Sequence, residues 1–148
     1  MFDPAEFLTV AHGLTEAGPQ PEAAVARLRT AFGRVYYALY LLVREELSRR
    51  HRIPYRHLPH GAVYTHLQSP RASGRVRELG RDLQRMYRLR QTADYELAPD
   101  PVAKGQLEDA RLVDLLIHLA TEQAKALPQL DFSPIVALLD PHGGREAR

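Results

Sequence analysis

The chain reads as all-α, an up-and-down bundle of four to five helices. Three observations predict this. Apolar residues recur at helical spacing along every long segment. Gly and Pro are confined to a few places, where they punctuate the chain. No segment shows the two-residue alternation of a half-buried strand.

Four Asp-Pro or Ser-Pro pairs mark helix starts: Asp3-Pro4, Ser69-Pro70, Asp100-Pro101 and Ser133-Pro134. The first residue of each can accept a bond from an orphan N–H of the first turn, and proline tolerates the first helical position. Glu6 stands three residues after Asp3, at capping-box spacing. Gly18-Pro19-Gln20-Pro21 separates the first helix from the second. The expected helices are 3–17, 21–50, a short one from His60 to Leu67, 70–97 and 101–127, with a final turn at 133–139. Residues 1–140 form one domain, and 141–148 form a flexible tail.

The second helix is apolar almost all round. Leu28, Phe32, Val35, Leu39 and Leu42 form one stripe, widened by Tyr36, Tyr40, Val43, Ala31 and Ala38. Such a helix belongs at the centre of a bundle. The segment 101–127 offers a narrower stripe, Val113, Leu116, Ala120, Gln123 and Leu127, as expected of a flanking helix. The loop 51–59 has basic ends and could rim a site.

Composition bounds the chemistry. The 148 residues include no Cys, which removes disulfides and thiolate metal sites and fits a reducing compartment. No apolar run is long enough to span a bilayer, and the N-terminus lacks a signal-peptide layout, so the expected location is cytoplasmic. The net charge of +2 hides an asymmetry: Arg44 to Arg90 contains twelve Arg and four acids. A segment this basic fits either a solvated arginine-rich surface or an anionic partner such as nucleic acid or nucleotide phosphate.

The fourth helix carries the sharpest signal. Val76, Leu79, Leu83 and Met86 share one face, and the same period next reaches Arg90 and Asp94. Arg77, Arg81, Arg85 and Arg88 fall on the far face. An inward arginine with an aspartate one turn later is either an ion pair that fixes register or a polar cleft in which Arg90 binds phosphate. Tyr95 lies at its edge, and Arg34 and Tyr37 of the second helix are candidates to line the same cleft. His57, His60 and His66 cluster around the third helix, but with no thiolate and no familiar ligand spacing they point to no metal. A histidine beside the cleft would be available as a general acid or base.

Two segments carry a family resemblance. Arg34-Val35-Tyr36-Tyr37-Ala38 resembles the Arg-x-Tyr-Tyr-Ala segment of HEPN-domain proteins, and Leu89-Arg90-Gln91-Thr92-Ala93-Asp94-Tyr95 resembles their Arg-x-x-Ala-Asp-Tyr segment. Pro59-His60-Gly61 is similar to the start of their short histidine-containing helix. The resemblance spans roughly residues 5–127. It implies a HEPN-like bundle acting as a homodimer without cofactor or metal. It also implies binding of nucleotide or RNA phosphate around Arg90, Asp94 and Tyr95, with Arg34 and Tyr37 contributing. The subgroup with this Asp-Tyr pair implies a toxin–antitoxin or defence system with a minimal nucleotidyltransferase partner, for which Tyr95 is the candidate acceptor phenol. The alternatives are a metal-independent endoribonuclease toxin and a helical interaction module without ligand. The usual arginine-then-histidine motif is absent: Asp94 and Tyr95 follow Arg90, so a ribonuclease here would have to use His60 or Tyr95.

Overall fold

The structure, a computed structural model, describes residues 3–16 and 21–143. Seven α-helices lie among them: α1 (Glu6–Glu16), α2 (Pro21–His51), α3 (His60–Leu67), α4 (Gly74–Tyr95), α5 (Pro101–Leu107), α6 (Ala110–Ala126) and α7 (Val136–Leu139). The all-α class holds, and no strand occurs among the described residues. The expected Gly-Pro break at 18–20 and the tail from 144 onward lie outside the described residues, while 141–143 form a turn.

α2 packs against α1, α4 and α6, which explains its apolar circumference. Phe32, Val35, Tyr36, Leu39, Val43 and Leu47 are all buried along it. α3 lies on α4, and α1 also meets α6. The stripes expected on α4 and α6 are buried: Val76, Leu79, Leu83 and Met86 on one, Val113, Leu116, Ala120 and Gln123 on the other. Gln123 is satisfied by donating to Asp82 Oδ2 at 2.9 Å, so the polar side chain ties α6 to α4.

Three helix boundaries differ from expectation. α4 begins four residues after Ser69-Pro70, because Ser73 caps it by accepting from Val76 N at 3.2 Å. Ser69 instead closes a preceding turn, with its Oγ accepting from Arg71 N, and Arg77 holds that turn through the carbonyls of Pro70 and Ala72. The expected helix 101–127 is two helices. Asp109 interrupts it by accepting from Arg111 N at 2.9 Å and capping α6. Ser133 does not cap its turn; its own N–H and Oγ both donate to Asp131. Each local side-chain bond competes with the i→i−4 ladder and wins at the boundary.

The loop 52–59 is anchored rather than open. Ile53 and Leu58 are buried, His57 Nδ1 contacts Asp140 Oδ1 at 3.1 Å, and Tyr55 donates to Glu45 at 2.5 Å. α2 runs into this loop through Arg52, whose φ of 56° is the left-handed conformation common just past a helix end. Glu46, buried near the end of α2, pairs with Arg49 and Arg50, and Arg50 also donates to Leu127 O.

Two glycines mark close helix contacts of different kinds. A Cβ on Gly80 would stand 2.8 Å from Gln68 Cγ, 2.9 Å from Leu67 Cβ and 3.1 Å from Tyr64 O, so α3 and α4 touch there with no room to spare. A Cβ on Gly33 would meet Arg90 Cγ and Asp94 Oδ1 at 3.9 Å, an ordinary contact. Alanine is favoured over glycine inside a helix by about 0.5–1 kcal/mol. We therefore expect Gly33→Ala to raise stability by about that amount. Gly80→Ala should lower it by about 1–3 kcal/mol through overpacking. Denaturant midpoints at constant m-value check both.

Candidate functional site

Arg90, Asp94, Arg34 and Tyr37 meet where α4 crosses α2, as the helical phase predicts. The Arg90 side chain is 14% exposed and Asp94 37%, so the arginine is inward and the aspartate stands at the rim. This corrects the expectation that both face the core: the buried line of α4 continues through Leu89 and Ala93, with Arg90 on its flank.

Arg90 Nε lies 2.9 Å from Asp94 Oδ2, yet it makes no aligned hydrogen bond. The contact is an ion pair that orients the guanidinium. The guanidinium carbon sits 5.0 Å from the Tyr37 ring centre and 5.6 Å from that of Tyr95, so two aromatic faces share the cation. The forked end, which carries the remaining four N–H donors, makes no hydrogen bond or ion pair within the described residues. Thr30, Gly33, Arg34, Tyr37 and Asp94 line a small cleft of about 190 Å³. Arg34 at its edge lies over the Phe7 ring at 5.0 Å. Tyr95 is 71% exposed, on the outside of the cleft rather than within it.

Tyr37 also neighbours His60, the first residue of α3. Its ring is 6.0 Å from Tyr37, 4.2 Å from Tyr40, 5.5 Å from Tyr36 and 5.6 Å from Tyr87, centre to centre. Its Nδ1 shares a hydrogen bond with the Tyr36 hydroxyl. Burial, followed by the charges of Arg90 and Arg44, pushes His60 below the ordinary histidine range. Burial likewise raises the Tyr36 phenol, so both partners are neutral. A neutral phenol can donate to Nδ1 or accept from it. In the first case Nε2 carries the proton; in the second Nε2 is a free base. Either tautomer can exchange a proton with a group placed at Nε2.

His60 and Arg90 thus share Tyr37 as a common wall. His57 and His66 stand apart from this group: His57 is engaged with Asp140. No cluster of three or more His, Asp or Glu side chains able to hold a metal ion occurs among the described residues.

Helical phase alone does not reveal three contributors. Arg29 reaches from α2 to the end of α4 and donates to Glu96 O at 2.7 Å and Ala93 O at 3.3 Å, capping the turn that bears Asp94 and Tyr95. Tyr87 and Tyr40 fall where a core side chain would, and they are also the rings that enclose His60.

No family model, curated protein or solved structure matches the chain.

The depressed His60 gives a pH signature. Its folded state resists protonation more than the unfolded chain does, so its contribution to stability is complete above the ordinary histidine pKa of about 6.5. That contribution is lost as pH falls below this value toward the folded pKa. By histidine-selective NMR, His60 should titrate below the ordinary histidine range. Arg90→Ala should move His60 upward. A His60 titration unaffected by Arg90→Ala would show that the two do not share a field.

Proposed function

We propose that the chain is a HEPN-like domain that binds the phosphate of a nucleotide or of RNA at the cleft around Arg90, Asp94 and Tyr95. The observation that carries this reading is the state of Arg90. Its Nε is buried, oriented by Asp94 and backed by Tyr37, while its fork makes no bond to the protein and is open to an incoming acceptor. Burying such a group costs stability, and an ion pair at the rim offsets only part of that cost. A phosphate would complete it with charge-assisted, bidentate hydrogen bonds. The cleft of about 190 Å³ next to Arg90 is lined by Arg34 and Tyr37 and has room for a phosphate group rather than a whole nucleotide. The base and sugar would lie outside it, beside the exposed Tyr95 ring.

The same reading includes a homodimer and a nucleotidyltransferase partner in a toxin–antitoxin or defence system. What supports the first is the exposure of three apolar side chains near in sequence at and after the end of α4, Tyr95, Leu97 and Val102, with Leu97 95% exposed. What supports the second is the Tyr95 hydroxyl, open to a transferase that would carry a nucleotide to it.

The neutral His60 favours a second reading, metal-independent RNA cleavage. In that reaction Nε2 of His60 would take the proton of a ribose 2′-hydroxyl and Arg90 would stabilise the charge developing on the phosphate. Cleavage in the presence of EDTA, lost in both His60→Ala and Arg90→Ala, is its signature.

For the binding reading, uridine monophosphate titrated into the wild type by calorimetry at low salt should bind, and Arg90→Ala should weaken it by at least tenfold. Arg90→Lys should recover only part of the loss, since lysine lacks the fork. Equal affinity in wild type and Arg90→Ala would overturn the assignment.

A further inference from the structure

The far face of α4 is a second basic surface, and it borders a groove. Arg81, Arg85 and Arg88 stand at i, i+4 and i+7, so they form one row roughly 10 Å long. The row forms one wall of a groove of about 470 Å³ between α4, the end of α3 and α5. None of the three arginines makes an ion pair among the described residues, and no acidic side chain lines the groove. Three like charges on one helix face repel one another. With no acidic side chain beside them, the three present an unneutralised positive wall to an anion entering the groove.

The remaining walls narrow the choice of anion. Leu89, Leu107 and Ala103 give an apolar strip beside the arginines. Gln68 is held inside by bonds to Tyr64 O and Gln84 Oε1. With its oxygen so occupied, Gln84 keeps its amide NH₂ for the groove, and the Gln106 side chain, also in its lining, makes no hydrogen bond among the described residues. Guanidinium forks in a row suit successive phosphates, free amides suit base edges, and an apolar strip suits a base face. An acidic peptide would use the arginines but leave the amide and apolar walls without a purpose.

We propose that this groove binds a single-stranded nucleic acid along its phosphate backbone. It lies on the side of α4 opposite Arg90 and does not depend on the Arg90 cleft being a phosphate site.

The test uses the full chain and a fluorescein-labelled twelve-nucleotide uridine RNA, with anisotropy read from 50 to 200 mM salt. Arg81→Gln/Arg85→Gln/Arg88→Gln should weaken binding at least tenfold and reduce the slope of log K against log salt by about 2, as loss of three phosphate contacts on a single strand requires. A control, Arg56→Gln/Arg71→Gln/Arg111→Gln, removes the same charge from exposed positions elsewhere and should cost less than twofold. The groove triple should leave uridine monophosphate binding unchanged, which separates this site from the Arg90 cleft. The proposal is overturned if the groove triple binds the RNA like wild type or if the control loses as much. It is also overturned if polyglutamate competes as well as unlabelled RNA of equal charge.

Discussion

Everything in this molecule is arranged around α2, a thirty-one-residue helix touched by α1, α4 and α6. Because it is enclosed on three sides, most of its surface must be apolar, and the few polar groups it carries must do something for a neighbour. Arg29 caps α4. Glu46 gathers two arginines at the end of α2 itself, one of which reaches on to Leu127. Gly33 lies where α4 lays Arg90 and Asp94 against α2, at ordinary contact distance. The position of the candidate site is therefore a consequence of how a central helix is covered.

Arg90 is energetically exposed in a different sense from a surface arginine. Its Nε is buried without an aligned partner, and its charge is shared among one carboxylate at the rim and two aromatic faces. Cation–π contacts contribute about 0.5–2 kcal/mol each, depending on burial. That is less than the several kcal/mol that withdrawing an ion from water costs. The phosphate contact proposed for this cleft would add charge-assisted hydrogen bonds at the fork. Burial, followed by the charges of Arg90 and Arg44, holds His60 below the ordinary histidine range.

Much of this was legible in the sequence, and the failures share a cause. The stripes of α2, α4 and α6 and the bounds of α3 follow from periodicity, which depends only on which residues are apolar. Arg90, Arg34, Tyr37 and Asp94 converge as phase predicts, since helices that bury adjacent faces bring those flanks together. The ends of α4 and the break at Asp109 were not legible, because a cap is decided by one side-chain hydrogen bond and several residues nearby could have made it. The enclosure of His60 by Tyr36, Tyr40 and Tyr87 was hidden for another reason. Those rings look like ordinary core positions until α3 is docked on them. The groove beside Arg81, Arg85 and Arg88 required α5, which pattern had merged with α6.

The basic segment from Arg44 to Arg90 thus divides along α4 into an inner arginine held by the core and an outer row without counter-charges. The central claim concerns the inner one: that Arg90 is held ready for a phosphate by Asp94 and Tyr37. Its most direct test is the ¹⁵N–¹H resonance of the Arg90 side chain, followed as uridine monophosphate is added. The account predicts a saturable shift of Arg90 Nε–H accompanied by the Tyr37 ring, with Arg81, Arg85 and Arg88 unmoved at the same concentrations. Saturation of the outer arginines while Arg90 and Tyr37 stay still would contradict it.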